Sequence, residues 1–410
     1  MKEQKKKISR FFQNVVTPSP LPAGYTAVEC LLCYSGQYVN TGITLTNEDS
    51  IEIDMELDPS ISESYAIMGC RDSFDSNNFT ISKQSAGYGL CVDFNNSNGN
   101  TYRYSNDNYT KGRYTIYCNK TSRGILGVGS NNTVCNDVFT CSAPCYVGYW
   151  GAGYTNYAMI AKLYGAKIEG KFNGIPCYRD SDFVFGLFDT VSQTFFVNSG
   201  VGVFSAKFLT HPVGYTQIEY IECNGSQWFN TGVTSNGRLR FDMDCRPTAL
   251  SSPESQVWFG GYNSNTSKNF YVGPGGSSNY DIYYKYYSNT DIRIAYTQST
   301  YSSIKAITAG GVGVSNLYVF PNSGTSFTAT DNDHGMTENL FSRNRTNTTL
   351  NQLPGKLKCY IVRIQKTGVN QRLYIPYKRN SDGVAGMYDL INNNFKTSMT
   401  GTDFIAGGDL

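Results

Sequence analysis

The chain has 410 residues and a formal net charge of only +2, with 16% charged residues. So small a charge excludes the broad basic field that nucleic-acid binding needs, and no run of about 18 apolar residues supplies a spanning helix. The 32 Tyr, 23 Phe and 41 Gly favour strands and turns over helices, and the length suits two or three domains.

Residues 1–20 differ from all that follows. Lys2, Lys5, Lys6, Lys7 and Arg10 carry charge, while Ile8, Phe11, Phe12, Val15 and Val16 recur at i, i+3, i+4, i+7 and i+8. That spacing predicts a basic amphipathic helix of about two to three turns. Thr17-Pro18-Ser19-Pro20 then ends it and forms a stiff linker. A helix this short is marginal alone in water, so its stripe needs cover: its own domain, a docking partner or second copy, or a membrane surface. Docking is the favoured reading, with Lys5, Lys6, Lys7, Ile8, Phe11, Phe12, Val15 and Val16 as the anchor. Arg10, Gln13 and Asn14 interrupt the stretch and no small-residue cleavage site follows, so no secretion signal is expected.

Beyond the linker the pattern is period two. Ser50-Ile51-Glu52-Ile53-Asp54-Met55-Glu56-Leu57 alternates and stops at Asp58-Pro59. Strands are also predicted at 114–117, 158–164 and 360–364, separated by Asn/Ser/Gly-rich loops such as 95–100 and 273–279. Many short strands with polar turns indicate a sandwich or barrel. Gly124-Ile125-Leu126-Gly127-Val128-Gly129 and Gly310-Gly311-Val312-Gly313 lack the Lys-Ser/Thr of a phosphate loop and are read as turns or bulges.

The strand pattern occurs twice. Leu21-Pro22-Ala23-Gly24-Tyr25-Thr26-Ala27-Val28-Glu29 matches His211-Pro212-Val213-Gly214-Tyr215-Thr216-Gln217-Ile218-Glu219. Gln37-Tyr38-Val39-Asn40-Thr41-Gly42 matches Gln227-Trp228-Phe229-Asn230-Thr231-Gly232. Near the ends, Pro176-Cys177-Tyr178-Arg179-Asp180-Ser181-Asp182 matches Pro376-Tyr377-Lys378-Arg379-Asn380-Ser381-Asp382, and Gly186-Leu187-Phe188-Asp189 matches Gly386-Met387-Tyr388-Asp389. A period near 200 residues is a duplicated domain rather than a solenoid unit of roughly 20–50. The expected division is 1–20 for the helix and linker, 21–206 for domain 1 and 210–410 for domain 2.

The repeat also serves as an internal control. Of the 12 cysteines, Cys33 aligns with Cys223, but Cys30 aligns with Tyr220 and Cys177 with Tyr377. A disulfide framework shared by both copies would keep its pairs, so buried free thiols are expected. With only His211 and His334, structural zinc is not expected. Asp331-Asn332-Asp333 is the nearest thing to a calcium loop and reads better as a polar turn.

The opening and closing motifs resemble those of a laminin-G-like, or concanavalin-A-like, jelly-roll domain of the kind frequent in structural proteins of tailed bacteriophages of gut bacteria. The resemblance spans roughly 22–206 and 210–408. It implies an all-β fold of two tandem jelly-roll β-sandwiches after a short N-terminal α-helix. It further implies a virion protein made in the host cytoplasm: a head fibre or capsid decoration, a homotrimer by analogy. Capsid or other virion proteins would bind the N-terminus. The alternative is a tail-associated adhesin that binds a cell-surface glycan for host attachment. No nucleic acid, membrane or cofactor is expected as a partner.

A hydrolase is the remote alternative. Glu52-Ile53-Asp54-Met55-Glu56 has the carboxylate spacing of laminarinase-type glycoside hydrolases, which share this fold, and period two puts all three carboxylates on one face. The second copy carries Arg240-Phe241-Asp242-Met243-Asp244 there, so the inward residues stay apolar while the outward chemistry changes. A solvated strand face is therefore the favoured reading, and no enzyme activity is expected. Tyr283, Tyr284, Tyr286 and Tyr287 form a cluster that either joins the core and interfaces or stacks on sugars as a ligand face.

Overall fold

A computed structural model of the chain describes residues 21–34, 36–59, 64–73, 76–84, 89–95, 103–150, 159–234, 238–248, 256–263, 268–274, 281–286, 290–296, 303–311, 314–320, 322–328, 335–345 and 356–410. The N-terminal anchor residues, the loops at 96–100 and 275–279, Tyr287 and the 331–333 turn lie outside the described residues. Every named element is a β-strand, and no described helix is long and apolar enough to cross a membrane.

Each copy is a jelly-roll sandwich of two antiparallel sheets. In the first copy, one sheet runs Gly129–Asn131, Arg123–Ile125, Gly112–Cys118, Ile51–Leu57, Ala161–Ile168, Phe172–Arg179, Val184–Asp189 and Thr194–Val197. The facing sheet runs Val39–Thr46, Thr140–Val147, Tyr65–Ser73, Ser76–Gln84, Gly89–Asn95 and Tyr104–Asn106. The chain crosses between the sheets at 47–50, again between Leu57 and Tyr65, again before Gly112, and again on either side of Thr140–Val147. The second copy repeats the order strand for strand: Asn322–Thr328, Val314–Phe320, Lys305–Gly310, Leu239–Pro247, Lys356–Lys366, Val369–Arg379, Ala385–Asp389 and Asn394–Lys396 form its first sheet. A short parallel pairing of Asn344–Arg345 with Phe259–Asn263 is added to its second sheet.

The alternating residues do what their period demands. Ile51, Ile53, Met55 and Leu57 are buried in the first core with Phe79 and Phe94. Leu239, Phe241, Met243 and Cys245 fill the second, where Phe241 stacks on Phe259 at 4.2 Å between centroids. All twelve cysteines are buried and free. Burial pushes the Cys30, Cys91 and Cys177 thiols up to about 12, so they stay protonated and inert at neutral pH.

The repeated motifs are the closures of this framework. Tyr25–Ala27 pairs with the Phe172–Arg179 strand, and Tyr215–Gln217 pairs with Val369–Arg379 in the same register. Thr26 donates to Asp180 at 2.7 Å and Thr216 to Asn380 at 2.8 Å. Arg179–Asp182 and Arg379–Asp382 are ion pairs of 2.6 Å that brace the next turn. Tyr25 packs on Phe188 and Phe195, and Tyr215 on Tyr388 and Phe395. In Gln-x-x-Asn-Thr-Gly, the Asn side chain accepts from the Gly N–H, at 2.9 Å in copy one and 2.8 Å in copy two. The Thr hydroxyl donates across the sheet, to the carbonyl of Cys145 or Glu338. The glycine-rich 124–129 stretch is a tight hairpin between Arg123–Ile125 and Gly129–Asn131, as its composition predicted.

Removing a fully buried side chain from this framework leaves a cavity. Ile53→Ala is expected to lower unfolding free energy by about 2–5 kcal/mol in urea titration, and a loss under about 0.5 kcal/mol contradicts this packing.

Candidate functional site at the domain junction

The two copies are packed together. Leu373, Ile375 and Tyr377 of the second copy join the first copy's hydrophobic cluster. Tyr34 and Tyr360 pack at 4.4 Å between centroids beside Cys30 and Leu32. Gln217 ties the connecting segment, donating to the Ala206 carbonyl at 2.6 Å and accepting from the Phe208 N–H at 3.1 Å.

The polar centre of this junction comes from one strand. Along Leu239–Pro247 the odd positions enter the second core, so Arg240, Asp242 and Asp244 point the other way, toward the first copy. Asp242 and Asp244 are nevertheless fully buried. Asp242 is held by Arg240 at 2.9 Å, by Arg363 at 2.9 and 3.0 Å, and by the Thr308 hydroxyl at 2.6 Å. Burial alone raises its pKa, but Arg363 and Arg240 outweigh that and hold the carboxyl below its ordinary range.

Asp244 has a different environment. It accepts one hydrogen bond, from Gln37 Nε2 of the first copy at 2.8 Å, and its Oδ1 has no partner. Burial and the Asp242 charge push its pKa well up, against the Gln37 bond and Arg363. Gly202 closes over it: a Cβ there would stand 2.6 Å from Asp244 Oδ1 and 2.8 Å from the Ala306 methyl. With φ of +73° as well, the position requires glycine.

A cleft of about 170 Å³ opens beside these groups, lined by Phe183, Phe185 and Phe204 of the first copy and Arg240, Arg363 and Leu373 of the second. It lies where the two copies meet, a common place for ligand sites.

The carboxylate run of the first copy is not the solvated face that its repeat suggested. Asp54 is 2% exposed and forms a two-pronged pair with Arg113 at 2.5 and 2.9 Å. That guanidinium also sits 3.9 Å above the Tyr164 ring. Glu56 lies between Lys162, at 3.3 Å, and Lys111, at 4.0 Å. Glu52 is partly buried, and burial raises its pKa against the pull of Lys167. The correction has a physical cause: period two separates the two faces of a strand, but an outward face covered by other groups has the same period as one in water. The register supports the alignment itself, because Asp54 stands opposite Thr115 and Asp242 opposite Thr308.

The tyrosine cluster also divides by period two. Tyr284 is fully buried against Phe270, so it belongs to the core and not to a ligand face. Tyr283 is only partly buried and meets Tyr271 edge-on at 5.3 Å. Tyr286 lies in the same strand. Sequence reasoning passed over Gln37, Arg240 and Arg363 as site residues. The one available signal was that Gln37 lies in a motif shared by both copies.

No family model matches the chain, and no curated protein matches it in sequence. Among solved structures it is similar to domains LG4-5 of the mouse laminin alpha1 chain, with 10% identity over 97% of this chain and 96% of that one and a TM-score of 0.32. The fold given above rests on strand order and register, independently of that likeness.

Two outcomes follow from the junction. Asp242→Ala strands two guanidiniums and is expected to cost about 3–5 kcal/mol in urea unfolding. Asp54→Ala costs less, because the Arg113 side chain is 47% exposed; equal losses contradict the assignment. Asp244 is a carboxyl with a raised folded pKa. Its contribution is complete below the unfolded value of about 3.9 and is lost as pH rises through the folded value. Asp244→Asn removes that loss, so its melting temperature should gain on the wild type from about pH 4 to about pH 8. A constant difference across that range refutes the burial of an uncompensated carboxyl.

Proposed function

We propose that the chain is a non-enzymatic structural protein of a tailed-bacteriophage virion, a head fibre or capsid decoration. The observation that carries this reading is the junction. Two sandwiches that bury apolar side chains and paired charges against each other form a stiff double module, suited to projecting from a particle. The basic segment 1–16 is the anchor to capsid or other virion proteins, and homotrimerisation is the assembly expected by analogy. Twelve buried free thiols suit synthesis in a reducing host cytoplasm.

The carboxylate geometry supports a non-catalytic role. A retaining glycosidase needs a free nucleophile and a protonated acid about 5–5.5 Å apart. Here the central Asp54 is held by Arg113, and Glu56 sits between two lysines. Wild-type protein is expected to leave a panel of β-glucans intact, and hydrolysis that disappears in Glu52→Gln refutes the reading.

The cleft favours a second reading, a tail-associated adhesin that binds a cell-surface glycan. The two readings differ in where the chain sits on the particle, which electron density for the virion would locate. Deleting residues 2–16 is expected to abolish incorporation into particles while leaving a soluble, cooperatively unfolding protein. Normal incorporation of the truncated chain sinks the anchor.

A further inference from the structure

The arginines of the junction do more than Asp242 requires. In the first copy, Asp54 occupies the position of Asp242 and, among the described residues, Arg113 is the one arginine that holds it. Where the second copy has Arg240, the first has Glu52. Where Arg363 stands opposite Asp242, Gly165 stands opposite Asp54. The position of Arg113, opposite Glu56, is Ala306 opposite Asp244. One arginine therefore suffices for the framework aspartate, and the second copy supplies two, both beside the cleft.

We infer that this cleft is a binding site for a single carboxylate carried on a sugar-sized ring, with the carboxylate seated on Arg240 and Arg363. Asp242 engages Nε and Nη2 of each arginine, and among the described residues no acceptor holds either Nη1. Neither Nη1 is sealed in the interior, so both remain open to a ligand. The local charge is matched to one anion. Two guanidiniums face one carboxylate, Asp242, while burial and the Asp242 charge push the pKa of the neighbouring Asp244 well up. Asp182, close enough to feel Arg363, is already paired with Arg179 at 2.6 Å. At the cleft wall, two guanidiniums therefore stand against the single carboxylate that both pair with.

Shape and chemistry narrow the ligand class. Phe183, Phe185, Phe204 and Leu373 give the cleft an apolar wall suited to the C–H face of a ring. Its 170 Å³ is below the roughly 300 Å³ at which drug-sized pockets begin, room for a single ring. A planar carboxylate matches guanidinium donors, whereas a phosphate dianion meets Asp242 directly behind them. A uronic-acid-type sugar fits all three conditions. This inference is independent of where the chain sits on a particle.

The test is calorimetric titration of the full chain with sodium glucuronate at low salt, with methyl glucoside and inorganic phosphate as comparisons. Glucuronate is expected to bind about tenfold or more tightly than methyl glucoside, and more tightly than phosphate. Arg240→Met leaves Arg363 on Asp242 and is expected to weaken glucuronate about tenfold. Lys120→Met, which removes a cation paired with Glu48, leaves binding unchanged. Competition on the wild type needs no variant: acetate displaces glucuronate. Equal binding of glucuronate and methyl glucoside, tighter binding of phosphate, equal loss in both variants, or no displacement by acetate overturns the assignment.

Discussion

A carboxylate taken out of water must be matched by opposite charge or by a proton, and the junction of the two copies is organised by that requirement. Asp242 is matched by two arginines and a threonine hydroxyl, which hold it ionised despite full burial. Asp244 accepts from Gln37 of the other copy and is paired with no cation among the described residues, and burial with the Asp242 charge pushes its pKa well up. Gly202 must lack a side chain for the first copy to close over that carboxyl. Ion pairs of this kind contribute little net stability over an apolar contact, but losing one partner is costly. These pairs lie within the second copy, and the bond that crosses to the first is Gln37 to Asp244.

Duplication separates framework from specialisation. Both copies keep the Tyr–Thr closure, the Arg–Asp brace and the Gln-x-x-Asn-Thr-Gly turn, because each satisfies backbone or turn groups that a jelly roll exposes at the same place. The side-chain amide of the shared glutamine shows the divergence. Gln227 donates within its own copy, to the Asp403 carbonyl at 3.0 Å, whereas Gln37 donates across the junction to Asp244. The same motif closes one domain and joins two.

The junction also links the mechanical and the chemical readings of the chain. Apolar packing between the copies and the cleft lined by both occur at the same waist. The arginines that hold Asp242 within the second copy are the ones that a ligand carboxylate would meet. The thiols take no part: all are buried, and burial pushes those of Cys33 and Cys223 well above the ordinary thiol value.

Amino-acid order alone determined the duplication, the all-β class and the inward residues of strands such as Ile51–Leu57 and Leu239–Pro247, because alternation and turn chemistry are local properties. It also aligned Asp54 with Asp242, which the register supports. It did not show that the outward faces are covered, since a carboxylate facing a second domain and one facing water have the same period. Nor did it divide the tyrosines correctly, because Tyr284 and Tyr283 differ only in which side of one strand they occupy. The polar groups of the junction come from positions 37, 240, 242, 244 and 363, and the apolar wall of the cleft from 183 to 204 and 373. Only tertiary packing decided that these meet, because contacts across a domain boundary depend on shape and charge matching between finished surfaces, and no local pattern records it.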